Sequence, residues 1–275
     1  MLNRILLSTI VILSLTFFAE VYFKITVANQ TWTKTAGFLT EDKRFYPRYA
    51  TKNASDTSKV IIPNASDKTI IIYNHGTTDS WLKENCDANF NQMPARYKKL
   101  QNKDTVFYYL CSTVTDYDKP GTYTERRTVE ISALLDKLIN AGVKPKNIFI
   151  IAHSSGSWAT LLLNKQQKKK FNAFFLTAPA MAGKVAEMNT RPLYKKAYYQ
   201  HLDKFNHTPQ KGIIVFYTKD RWVRQSDWNN FKQNHSSNVD FYTYRCLRGH
   251  FSSCNSYNHI KVIKQFMKKS RQGKR

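Results

Sequence analysis

Along the chain, short runs that are almost wholly apolar alternate with longer stretches of helical spacing. Six runs rich in Ile, Val, Phe and Tyr stand out: Thr69–Asn74, Thr105–Leu110, Asn147–Ala152, Asn172–Thr177, Gly212–Thr218 and Val239–Tyr244. Most lack polar alternation, as strands do when a parallel sheet is covered on both faces. Helical patterns lie between them, at roughly Ala88–Gln101, Thr122–Ala141, Ser155–Lys168, Arg191–Phe205, Ser226–Gln233 and Tyr257–Lys269. In the second of these, Val129, Leu134, Leu135, Leu138 and Ile139 form an apolar stripe near period 3.6. Gly142 then ends the helix and Pro145 prevents its resumption. This alternation predicts an α/β fold: a three-layer sandwich with a mainly parallel open sheet of about six or more strands and helices on both faces. Residues 29–67 are polar and irregular, with one short strand expected around Val60–Ile62, and read as an N-terminal wrap over the core. There are no repeats, heptads or interdomain linker.

The first 28 residues carry a different signal. Arg4 precedes an apolar run from Ile5 to Ala19, the arrangement of a signal peptide. The run reaches the length of a spanning helix only by including Glu20 and continuing to Phe23. Residues 1–28 therefore read as a cleaved signal peptide or a retained membrane anchor, and either exports the domain. Four cysteines, Cys86, Cys111, Cys246 and Cys254, agree with an oxidising destination, where an even count suggests two disulfides. No C-x-x-C pair is present, which argues against a metal site, and no cofactor motif is evident. The formal net charge of +24 favours anionic surfaces such as acidic envelope polymers or anionic lipid. It also fits Lys and Arg that simply cover a solvated surface, with Lys268–Arg275 as a disordered basic tail. Specific nucleic-acid recognition is not expected, because charge is its only support.

The chemistry concentrates at strand ends. The run Ile148–Ala152 leads through His153 to Ser154, Ser155, Gly156 and Ser157, a buried strand entering a helix with serine at the corner. A nucleophile on so sharp a turn needs small residues two before and two after it. Ser154 meets this with Ala152 and Gly156; Ser155 would place the bulky His153 two before it; Ser157 already lies inside the helix. At the start of that helix, the Ser155 N–H would face a developing oxyanion. A second donor is expected from the loop His75-Gly76-Thr77 after the first strong strand, with the Thr77 N–H as the candidate. A serine needs a base, and the base an orienting acid, in the chain order Ser, Asp, His. Asp220 leaves the strand Gly212–Thr218, and His250 follows the strand Val239–Tyr244. Among competitors, Asp227 lies at a helix start where capping is the ordinary role, and His235 and His259 lie on helical stretches.

With His75-Gly76, Ala152-His153-Ser154-Ser155-Gly156, Asp220 and Gly249-His250, the segment from Lys68 to Lys269 resembles the α/β-hydrolase fold of esterases and lipases. It departs from that pattern at Ala152, where the first elbow glycine is usual, and at Ser157. The resemblance implies one hydrolase domain over residues 68–275, a Ser154–His250–Asp220 triad and a covalent acyl-enzyme. Bridges Cys86–Cys111 and Cys246–Cys254 fit this arrangement, the second fixing the His250 loop. The segment 179–210 admits two readings, a small aromatic-lined cap over the site or a crossover helix with a long loop. The expected substrate is a small-molecule, lipid or envelope-polymer acyl compound, with carboxylic esters ahead of amides or peptides. A different class of function is a non-catalytic, envelope-associated binding protein on the same scaffold.

Overall fold

A computed structural model describes residues 37–39, 45–46, 62, 64–77, 93–110, 112, 114, 122–181, 185–246, 249–250 and 257–272. Among the described residues, eight strands form one sheet: β1 (Gly37–Leu39), β2 (Phe45–Tyr46), β3 (Thr69–Asn74), β4 (Thr105–Leu110), β5 (Ile148–His153), β6 (Ala173–Thr177), β7 (Gly212–Tyr217) and β8 (Val239–Tyr244). Their spatial order is β2-β1-β4-β3-β5-β6-β7-β8. The six strands from β4 to β8 are parallel, as expected. The two short antiparallel strands β1 and β2 extend the sheet beyond β4 and come from the segment read as an irregular wrap. Ile62, placed in a short strand by its sequence, belongs to no regular element, and its neighbours Val60 and Ile61 lie outside the described residues.

Both faces of the sheet are covered from β3 to β7, so these strands are almost wholly apolar, whereas the edge strand β8 is half-buried and carries Asp240 and Thr243. Ile70 and Ile72 of β3 face one core cluster, and Ile71 and Tyr73 face the other. The first face is packed by α1 (Thr122–Asn140), α2 (Ser155–Leu162), α4 (Pro192–His207) and α5 (Asn229–His235). The second is covered by α6 (Tyr257–Arg271) and the 3-10 turn Ala95–Leu100. The chain steps from β3 outward to β4, then back across to β5 on the other side of β3. The C-terminal ends of β3 and β5, paired at Asn74 and Ala152, thus border the crevice where open α/β sheets place their ligands.

Several local expectations are corrected. Val129 is 63% exposed, while Arg127, Ile131, Leu134 and Leu138 define the buried stripe of α1. The stretch Ser155–Lys168 is two helices, because Leu163 is extended and Asn164 starts α3 (Lys165–Lys168) with a capping box to Gln167. Of the helix expected over Ala88–Gln101, residues 93–101 are described and hold only the 3-10 turn Ala95–Leu100. Asp227 is not a cap: its Oδ2 accepts from the Tyr198 hydroxyl at 3.1 Å. The tail residues Lys268–Arg271 continue α6, where cations suit a helix C-terminus. The segment 179–210 contains α4, a crossover helix between β6 and β7. Of the aromatic and Met residues that could line a cap, Met181, Met188, Tyr198 and Phe205 are buried in the first core cluster, Tyr194 packs partly buried against it, and Tyr199 is 42% exposed.

Buried histidines make this core acid-sensitive. His259 on α6 lies against Phe175, Tyr217 and Tyr244 and is 1% exposed. Burial, helped by the nearby Arg96, lowers its pKa to about 4 from the ordinary 6.5. The folded state therefore resists protonation that the unfolded chain accepts. The stability this provides is complete above pH 6.5 and is lost as pH falls toward 4, by about 3 kcal/mol at full titration. Burial lowers His153, His201 and His235 in the same direction. Thermal melts between pH 7.5 and 4.5 should show a falling Tm, with a shallower slope in His259→Gln. An unchanged slope in the variant would remove His259 from this account.

Candidate active site

Ser154 stands at the turn between β5 and α2 with φ 52° and ψ −123°. This backbone conformation is costly for a residue with a side chain, and local packing must hold it. The Ser154 N–H donates to Thr177 O at 3.0 Å, and its carbonyl accepts from Trp158 N at 3.1 Å. Gly156 is required by close approach: a Cβ there would lie 2.4 Å from His75 O and 2.5 Å from Asn74 O. The spacing rule that selected Ser154 thus has a direct cause, the passage of the β3 terminus across the first turn of α2.

His250 reaches Ser154 from the loop after β8. Its Nε2 is 2.7 Å from Ser154 Oγ, and its Nδ1 is 2.9 and 2.8 Å from Asp220 Oδ1 and Oδ2. An ionised carboxylate only accepts, so the ring proton sits on Nδ1 and Nε2 is left to accept from the serine hydroxyl. The Asp220 side chain is 1% exposed, and its Oδ1 also accepts from Trp222 N at 2.8 Å. The Trp222 ring stacks on His250, with centroids 4.8 Å apart and planes at 29°. Gly249 adopts φ +66°, and a Cβ there would meet Lys219 O at 2.5 Å. The His250 loop can therefore lie directly on the backbone that carries Asp220.

His153 flanks this series. Its Nδ1 lies 3.0 Å from Thr177 Oγ1, and its ring centroid is 5.2 Å from that of His250. Burial, and then the neighbouring His250, hold its pKa well below the ordinary value, so it adds no cation beside His250. Thr77 follows β3 as expected and is partly exposed at the crevice, while Gly76 is buried. Cys246 is buried at 9% exposure; Cys86, Cys111 and Cys254, and with them both expected bridges, lie outside the described residues. Among the described residues no group of three His, Cys, Asp or Glu is placed to hold a metal ion.

No protein-family model and no curated protein matches the chain in sequence. Solved structures do match in shape. A putative dipeptidyl aminopeptidase IV from Bacteroides ovatus ATCC 8483 gives a TM-score of 0.55 at 13% identity, covering 86% of this chain and 36% of that one. Oligopeptidase B from Leishmania major gives 0.54 at 12% identity, covering 88% and 37%. Acetyl xylan esterase from Paenibacillus sp. R4 gives 0.53 at 10% identity, covering 74% and 75%. The chain has the α/β-hydrolase fold. It spans roughly a third of the length of the two peptidases.

On this α/β-hydrolase scaffold, sequence reasoning placed Ser154, Asp220 and His250 at strand ends that the structure brings together. It missed Arg127, which is fully buried beneath the loop after β3. The signal was available, since Arg127 lies four residues before Ile131 and seven before Leu134, on the buried stripe of α1. It also missed Trp222 and Thr177, whose roles arise from contacts between distant elements.

Proposed function

We propose that the chain is a serine hydrolase acting on carboxylic esters, with Ser154, His250 and Asp220 as its catalytic triad. The observation that carries this reading is the continuous hydrogen-bonded series from Ser154 Oγ through His250 to the buried Asp220. His250 Nε2 takes the hydroxyl proton as Ser154 Oγ attacks the acyl carbon. The tetrahedral oxyanion is held by the N–H groups of Thr77 and Ser155. His250 then gives its proton to the leaving alcohol, and water releases the acyl group by the same roles in reverse. Asp220 holds the ring in the productive tautomer and stabilises the imidazolium. Esters rank ahead of amides because an acetyl xylan esterase is matched over 75% of its own length, whereas the chain covers only 36% and 37% of the two peptidases.

The chain is exported through its N-terminal apolar segment in this reading, and the expected disulfide at Cys246 suits an oxidising compartment. The net charge of +24 favours anionic acyl substrates or an anionic envelope surface. Purified protein should be labelled by a fluorophosphonate at Ser154, located by mass spectrometry, and Ser154→Ala should abolish both labelling and hydrolysis of p-nitrophenyl acetate. Folded wild-type protein that resists the probe would defeat the hydrolase reading. Faster turnover of peptidyl p-nitroanilides than of p-nitrophenyl esters would reverse the substrate order.

A further inference from the structure

Arg127 does not point to solvent from α1 but is wholly buried behind the crevice. Its Nη1 donates to Gly76 O at 3.1 Å, to Ser155 Oγ at 2.8 Å and to Tyr123 Oη at 3.2 Å. Its Nη2 donates to His75 O at 2.7 Å and to Asn74 Oδ1 at 2.5 Å. All five acceptors are uncharged. Among the described residues no carboxylate pairs with Arg127, and burying a guanidinium on neutral acceptors alone is costly, so packing alone is a poor reason for arginine here.

The identity of the acceptors supplies a better reason. Gly76 O and Thr77 N belong to one planar trans peptide, in which N–H and C=O point in opposite directions. Holding Gly76 O on Arg127 therefore turns the Thr77 N–H away from α1, toward the crevice. The same carbonyl faces His75 Nδ1 at 2.7 Å, and His75 Nε2 accepts from Ser112 N at 3.0 Å, so Nδ1 carries the proton and donates. Two donors on one carbonyl fix and polarise that peptide. The nitrogen that grips Gly76 O also grips Ser155 Oγ. One charged group thus ties together the two residues whose N–H groups would hold the oxyanion.

We infer that Arg127 is the positioning residue of the oxyanion hole, locking the Gly76–Thr77 peptide and Ser155 in register and placing a buried positive charge behind both donors. This rests on the serine-hydrolase reading above. The full chain and its Arg127→Met and Arg127→Lys variants would be titrated with fluorophosphonate, and rates expressed per reactive serine. In Arg127→Met, kcat per site should fall about 100-fold with KM little changed. Affinity for a trifluoromethyl ketone, which forms a tetrahedral oxyanion adduct, should weaken by the same factor. Arg127→Lys keeps the charge but not the fork, and should lose roughly tenfold in both quantities.

A merely structural role would reduce the number of titratable sites and leave the rate per site and the ketone affinity unchanged; that result overturns the inference. If Arg127→Met does not fold, Arg127→Lys decides by the same comparison. Wild-type protein that neither labels at Ser154 nor turns over would remove the hydrolase reading and this inference together. Active wild type with unaffected variants removes this inference alone.

Discussion

Replacing Asp220 by Asn is expected to lower kcat for p-nitrophenyl acetate by about 10⁴-fold while leaving the fold intact. The amide has the size of the carboxylate, so the packing under Trp222 survives. Its chemistry is wrong for the imidazole. Trp222 N–H donates to Oδ1 at 2.8 Å, which selects the amide oxygen for that position, 2.9 Å from His250 Nδ1, and puts the NH₂ group in place of Oδ2, the nearer oxygen at 2.8 Å, where it donates to Nδ1. The ring then keeps its proton on Nε2, facing Ser154 Oγ, and cannot accept the hydroxyl proton. Fluorophosphonate labelling should slow in parallel with turnover, and both should recover partly at high pH, where hydroxide can substitute for the base. A loss under tenfold would mean that Asp220 does not orient His250.

The second large effect concerns stability. Trp158 on α2 is fully buried, four residues beyond Ser154. Its ring stacks on Tyr198 at 5.0 Å and meets Phe205 and Trp228 edge-on at 5.0 and 5.6 Å. Its Nε1–H donates to His201 Nδ1 at 3.0 Å. Trp158→Ala should cost about 3–5 kcal/mol in chemical denaturation, from lost burial, the cavity left behind and an unmatched acceptor on His201. Trp158→Phe retains most of the volume and should cost distinctly less. A loss below 1 kcal/mol for Trp158→Ala would show that α4 and α5 collapse into the space.

The sheet was legible because its strands are buried on both sides: Ile70–Tyr73 and Ile148–Ala152 present no polar alternation to confuse with helix. The Ser154, Asp220 and His250 positions were legible because each must sit at a strand exit, in a fixed chain order. The strands β1 and β2 were not, since three and two residues are too few to carry a pattern. Their pairing is supplied by β4. Val129 misled because its own apolarity drew it into the stripe, although its neighbours at helical spacing are Glu125, Arg126, Ser132, Ala133 and Asp136, a row that faces solvent, while Arg127 looked like solvated charge beside Arg126. Spacing from Ile131 and Leu134 puts Arg127, not Arg126, on the buried side of α1, but only the β3 loop supplies the acceptors that explain it. The Leu163–Asn164 break was readable in principle from Asn164 and Gln167, a capping pair three residues apart.

The contact between His250 and Ser154 closes a separation of 96 residues in the chain. Each parallel strand between them must first be laid down through its own crossover, so this contact comes at the end of a long sequence of non-local pairings. A nascent or partly assembled chain that has reached β5 already owns its elbow serine, but not the imidazole that would make it reactive. On the proposed triad, activity therefore requires completion of the far edge of the sheet, since His250 meets Ser154 only once β8 has docked.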